Sequence, residues 1–139
     1  MEAIYTASAT ATGDGRNGHV RSADGVLDLD LAVPKEMGGP GGNLTNPEEL
    51  FAAGYAACFH SALKVAARLQ KVTLTDTAVT IDIGVGPNDH GGFQLNATIE
   101  AEISGVDETT AHRLLETAHQ LCPYSNATRG NIDVQLSLA

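Results

Sequence analysis

The stretch Asn46-Pro47-Glu48-Glu49-Leu50-Phe51-Ala52-Ala53-Gly54-Tyr55-Ala56-Ala57-Cys58-Phe59 decides the architecture of this chain. Thr45 or Asn46 can cap a helix here, Pro47 suits its first turn, and Glu48 or Glu49 completes a capping box facing the positive helix end. From Leu50 to Leu63 there is no formally charged residue, and five positions are Ala. A helix that is apolar nearly all round is buried on most sides. Charge returns at Lys64, Arg68 and Lys71, near the expected helix end. A small sheet covers one face of such a helix, so the expectation is a dimer whose partner covers the rest.

Upstream, Ile4 to Thr12 is small and β-tolerant and stops at Gly13-Asp14-Gly15-Arg16-Asn17-Gly18, which reads as a hairpin loop. A short strand over His19 to Ser22 leads to a turn at Ala23-Asp24-Gly25. Val26 to Val33 then alternates through Leu27-Asp28-Leu29-Asp30-Leu31 as a half-buried strand. Pro34 to Asn43 is a glycine-rich loop. Downstream, Thr77 to Val85 alternates as a strand, Gly86 to Gly92 turns, and Phe93 to about Ser104 is a second strand. Asp107 caps a helix to about Leu121, which ends at Cys122 because Pro123 disfavours helix before it. Ile132, Val134, Leu136 and Leu138 alternate as a last strand. Three strands, helix, two strands, helix, strand predict an α+β fold with antiparallel sheets, as one domain over 1–139.

Eight Lys and Arg stand against 17 Asp and Glu, a net charge of −9 over 139 residues. That balance argues against nucleic acid or an anionic membrane as partner, since both demand a basic surface. No apolar run approaches the ~20 residues of a membrane span. Met1 to Tyr5 lacks the basic and apolar regions of a signal peptide. The expectation is a soluble, cytoplasmic protein.

Two cysteines, Cys58 and Cys122, are too few for a disulfide scaffold. Each is open to three readings: an inert buried thiol, part of a metal site, or one of a redox pair. A thiol near pKa 8.5 is only ~3% ionised at pH 7, and a shift to about 5.5 makes it ~97%. Burial pushes the wrong way, so a reactive Cys58 needs a cation beside it. Lys64, Arg68 and Lys71 lie too far along the helix. Arg16, on a glycine-rich loop tip, can be aimed into a site, and Glu48 can orient it through a bidentate carboxylate bond. Glu48 and Cys58 lie ~15 Å apart along a continuous helix and about 80° off one face. Either the helix breaks near Gly54, or Glu48 acts across a dimer interface. His60 points elsewhere on the helix than Cys58. His119 and Cys122 have a spacing compatible with two metal ligands, but a third from His112 or His90 has no support. His19 and His90 read as loop histidines.

The Asn46–Phe59 stretch and Cys122-Pro123-Tyr124-Ser125-Asn126-Ala127-Thr128-Arg129-Gly130-Asn131 resemble the two signature segments of organic hydroperoxide resistance proteins, the Ohr branch of the Ohr/OsmC superfamily. The Gly15–Gly18 hairpin and the Gly38–Gly42 loop also fall where that family has similar segments. Glu49 often stands as Gln in the family, and Leu44 replaces a commonly small residue. The resemblance implies antiparallel sheets around a long buried central helix in an intertwined homodimer. It also implies a thiol peroxidase with Cys58 as peroxidatic and Cys122 as resolving cysteine, joined as a disulfide. Arg16 would lower the Cys58 pKa and polarise the peroxide while Glu48 holds Arg16. No bound cofactor or metal is implied; the reductant would be a dihydrolipoyl dithiol on a lipoylated partner protein. Leu50, Phe51, Tyr55 and Phe59 suit a fatty or aryl hydroperoxide as substrate-binding residues. The alternatives are a non-catalytic dimer binding a lipid-like ligand, or an OsmC-type peroxidase of different preference.

Overall fold

The computed structural model describes residues 1–139, which divide into two compact units, Met1–Leu50 and Phe51–Ala139. In the first, β1 (Ala9–Thr12), β2 (His19–Ser22) and β3 (Asp28–Asp30) form an antiparallel sheet in that order. The β1–β2 link is built on close approach. A Cβ on Gly18 would stand 2.3 Å from the Thr12 carbonyl oxygen, so no side chain fits there. A single 3-10 turn, Gly15–Asn17, forms the tip. The β2–β3 link is locked by the Asp24 carboxylate, which accepts from the Val26 amide at 3.0 Å and from the Ser22 hydroxyl. Strand β1 begins five residues later than its sequence suggests, because β2 runs out at Ser22: the Ser8 carbonyl still accepts from the Ala23 amide at 2.9 Å, and Ile4 to Ala7 are left without a ladder. Likewise the alternating segment from Val26 pairs only over Asp28–Asp30, followed by a bridge from Leu31 to Thr45.

Helix α1 (Pro47–Leu69) starts in the first unit and continues unbroken into the second. Asn46 is its cap, accepting from the Glu49 amide at 2.8 Å, while Glu49 accepts from the Thr45 hydroxyl at 2.8 Å. It stops where Lys71 adopts φ +55° and the Val72 amide returns to the Ala67 carbonyl. By length and composition alone α1 passes for a membrane span, as the core helix of a soluble protein also does, and its buried stripe packs into the core of the second unit. Burial is also narrower than the composition suggests. Tyr55, Phe59, Ala62, Leu63, Ala66 and Ala67 form one buried stripe, and Ala53, Ala57 and Ser61 are exposed.

In the second unit β4 (Thr77–Pro87) and β5 (Phe93–Ile103) form a long antiparallel hairpin, closed by Asn88, whose side-chain carbonyl accepts from the amides of His90 and Gly92. Helix α2 (Glu108–Leu121) begins at Asp107, which accepts from the Thr110 amide at 2.8 Å. Cys122 is extended, and a short helix α3 (Pro123–Thr128) follows directly. Strand β6 (Val134–Leu138) then pairs with β5 in parallel, Ala97 opposite Val134 and Ala101 opposite Leu138. The expected all-antiparallel sheet is corrected at this edge. The chain between β5 and β6 carries two helices, enough to cross over and re-enter in the same direction. Ile81, Ala97, Ile99 and Ala101 face inward onto the α1 stripe and onto Leu114, Leu115 and Ala118 of α2.

Candidate active site

Cys58 lies on α1 one turn past Tyr55, packed against the core and half-buried; Cys122, at the α2–α3 junction, has no exposed surface. Both thiols are free, and their sulfurs lie 3.5 Å apart, although the residues are 64 positions apart in sequence. The extended conformation that Pro123 imposes on Cys122 ends α2 there and lets α3 start, so this meeting depends on a local backbone rule. Burial pushes the Cys58 thiol above its ordinary pKa. The Tyr124 backbone amide pulls the other way by hydrogen bonding to the sulfur, and the neighbouring Cys122 adds to the rise. Within this unit Cys58 is therefore a poor thiolate, and a cation is what would change that.

Arg16 and Glu48 form a second pair, in the first unit. The two guanidinium nitrogens Nη1 and Nη2 donate to the two carboxylate oxygens, both at 2.7 Å. The bond to Arg16 holds the Glu48 carboxyl below its ordinary pKa, and Glu48 holds the guanidinium charged. Asn17, next to Arg16, accepts from the Val33 amide at 2.9 Å and ties the loop tip to the segment after β3. The expected alternative of a helix break near Gly54 is corrected: α1 is continuous there.

Of the four residues expected to bind substrate, Leu50 and Phe51 are half-buried, whereas Tyr55 and Phe59 are wholly buried and belong to the core. Phe51, Tyr55 and Tyr124 form an aromatic cluster, with ring centroids 5.6 to 6.3 Å apart. The Tyr55 hydroxyl bonds to the hydroxyls of Ser125 at 2.8 Å and Thr128 at 3.1 Å. Sequence reasoning misses this trio, and also the Tyr124 amide on Cys58. The available indication is Pro123, which as a first helical residue announces α3.

No histidine is hydrogen-bonded to either cysteine sulfur. His60 bonds the Thr77 hydroxyl at 2.7 Å, and His119 is buried with Nδ1 unpartnered. Its pKa is lowered by burial and by Arg129. No group of three or more His, Cys, Asp or Glu side chains is arranged to hold a metal ion. His19 is a strand residue, not a loop histidine: its ring sits between Asp30, at 2.7 Å from Nδ1, and Asp28, bonded to Nε2.

A family profile described as "OsmC-like protein" matches residues 39–137. The chain is 50% identical over 137 residues to the organic hydroperoxide resistance protein of Xanthomonas axonopodis pv. citri, covering 98% of this chain and 95% of that one. Its fold matches a crystal structure of an organic hydroperoxide resistance protein from Legionella pneumophila with TM-score 0.94 and 51% identity, over 99% of both chains. That of OhrB from Bacillus subtilis matches with TM-score 0.88 and 43% identity, over 99% of this chain and all of that one. The chain belongs to the OsmC-like family, in its organic hydroperoxide resistance branch.

Proposed function

We propose that this protein is a cysteine-based peroxidase that reduces organic hydroperoxides to alcohols. The observation that carries the reading is the 3.5 Å approach of the sulfur of half-buried Cys58 to that of fully buried Cys122. The Cys58 thiolate attacks the distal peroxide oxygen and breaks the O–O bond. The sulfur is oxidised to a sulfenic acid, and the alkoxide takes a proton and leaves as the alcohol. The Cys122 thiol then displaces the sulfenic hydroxyl, forming the Cys58–Cys122 disulfide and releasing water. A dihydrolipoyl dithiol on a lipoylated protein returns two electrons and two protons, restores both thiols and becomes the cyclic disulfide.

Arg16 is the cation this chemistry requires. It favours the thiolate and polarises the peroxide, and the bidentate bond to Glu48 fixes its orientation. With α1 unbroken, the pair acts across a dimer interface, which also covers the exposed side of α1. Leu50 and Phe51 supply apolar surface for an alkyl or aryl peroxide, and the buried rings of Tyr55 and Phe59 support it from behind. The acidic surface fits a small-molecule enzyme of the cytoplasm.

The test is consumption of tert-butyl hydroperoxide driven by dihydrolipoamide, comparing wild type with Cys58→Ser and Cys122→Ser. Turnover should vanish in Cys58→Ser, and dithiol-driven cycling should fail in Cys122→Ser. A reduced wild type that consumes no peroxide overturns the reading.

A further inference from the structure

Tyr55 sits in an apolar core with its side chain wholly buried, a place where phenylalanine would fill the same volume without a hydroxyl to satisfy. The hydroxyl has two partners, Ser125 at 2.8 Å and Thr128 at 3.1 Å, and both are buried as well. The Thr128 hydroxyl also lies 3.3 Å from the Ser125 carbonyl. Three hydroxyls buried together contribute little net stability over an apolar set of the same shape. What they supply is a fixed position.

That position matters for the two cysteines. Both partners belong to α3, the six-residue helix that follows Cys122 directly and whose Tyr124 amide bonds the Cys58 sulfur. Tyr55 lies three residues before Cys58, on a neighbouring part of the same helix surface. At the other end of α3, Arg129 donates to the His119 carbonyl at 2.8 Å and ties the segment back to α2. Thus one hydroxyl links the helix bearing Cys58 to the short helix that places Cys122.

We propose that Tyr55 is a positioning residue for disulfide closure: through Ser125 and Thr128 its hydroxyl keeps Cys122 in line with the Cys58 sulfenic acid. The inference rests on the proposed peroxidase reading and assigns a role to one of its steps. The peroxide has already oxidised Cys58, so closure needs no further oxidant: the Cys122 thiol forms the S–S bond, the S–OH bond breaks, and water leaves. A competing course uses a second hydroperoxide molecule, which oxidises the waiting sulfenic acid to sulfinic acid and is itself reduced to alcohol. Intramolecular attack is sensitive to shifts of an ångström, so a loosened α3 should slow closure and leave the competing course unaffected.

The experiment compares wild type, Tyr55→Phe, Ser125→Ala and the triple variant Tyr55→Phe, Ser125→Ala, Thr128→Val. Reduced protein is mixed with stoichiometric and then excess tert-butyl hydroperoxide, and the disulfide, dimedone-trapped sulfenic acid and sulfinic acid are followed by mass spectrometry. In Ser125→Ala sulfenic acid formation should stay within about twofold of wild type, and in both Ser125→Ala and Tyr55→Phe closure should slow about tenfold relative to sulfenic acid formation, with a matching rise in sulfinic acid under excess peroxide. The triple variant should regain thermal stability but not the closure rate, which separates positioning from plain packing. Wild-type closure rates in Tyr55→Phe, or in Ser125→Ala if the first variant does not fold, overturn the inference while the peroxidase reading stands. A triple variant that closes at the wild-type rate overturns it too. A wild type that forms neither sulfenic acid nor disulfide defeats the peroxidase reading itself.

Discussion

Arg16 and Glu48 face each other through two parallel N–H···O bonds of 2.7 Å, joining a loop tip to the first turn of α1 across 32 residues of sequence. The fork-to-fork geometry belongs to arginine and carboxylate alone: lysine offers a point charge and glutamine only one acceptor. Arg16→Lys and Glu48→Gln should each lower peroxide consumption about ten- to a hundredfold, the range of one charged hydrogen bond of about 1.5–3 kcal/mol. Steady-state kinetics with tert-butyl hydroperoxide checks this, and a loss below threefold would contradict it.

The same pair sets an acid limit. Glu48 is held below its ordinary pKa chiefly by the bond to Arg16. A carboxyl depressed on folding contributes stability that is present above its unfolded value and is lost as pH falls through the folded value. The unfolding midpoint should therefore drop on acidification below about pH 4.5, and drop less steeply in Glu48→Gln. Urea titrations between pH 3 and 7 measure the difference.

His19 acts in the opposite direction. Its proton is retained above the ordinary value by the bond to Asp30 first and to Asp28 next, both on the paired strand β3; Arg21, on its own strand, lies 3.9 Å from Asp28. A histidine raised on folding contributes stability fully present below its unfolded value near 6.5 and lost as pH climbs through the folded value. Amide exchange across β2–β3 should accelerate over that rise, and the added pH dependence should disappear in His19→Gln.

Unequal exposure of the two thiols gives a labelling test. Iodoacetamide should modify Cys58 in the folded protein and reach the wholly buried Cys122 only on unfolding. In Arg16→Ala the pH at which Cys58 becomes reactive should move upward. Peptide mapping after brief alkylation at several pH values reads both effects, and equal labelling of the two cysteines would contradict the first.

Gly18 and Gly15 should differ when replaced by alanine. The added methyl at Gly18 meets the Thr12 carbonyl oxygen at 2.3 Å and the Asp14 amide at 2.8 Å, whereas Gly15, at φ +57°, has nothing within 4 Å. Gly15→Ala should cost about 1–2 kcal/mol of conformational strain, and Gly18→Ala more, because backbone must move. Unfolding in urea ranks the two.

Legibility in the sequence follows how local each cause is. The Asp107 cap and the stop before Pro123 each depend on adjacent residues, and α2 runs between them as its sequence predicts. Pro123 reads as a stop, yet the same ring pre-sets the first residue of α3, and only the structure shows the second use. Alternation reveals β6 but carries no direction, so its parallel pairing with β5 is invisible in the pattern. The even apolarity of α1 hides the fact that one stripe meets its own core and the rest does not. Tyr55 reads as one more apolar wall because its hydroxyl partners lie 70 and 73 residues away. The nearness of Cys58 to Cys122 is likewise long-range, and resemblance rather than spacing points to it.

The parallel edge has a bearing on folding time. The β4–β5 hairpin closes across a tight turn, while β6 reaches β5 only after α2 and α3 have been threaded between them. Such closure loses chain entropy before any rung of the ladder compensates, which makes non-local pairing the slow event in domains of this size. Cys122 rides on that late-docking crossover. Under oxidising refolding, the moment at which the two thiols become able to join should therefore coincide with the slowest kinetic phase, so that trapped disulfide serves as a clock for docking of the final strand.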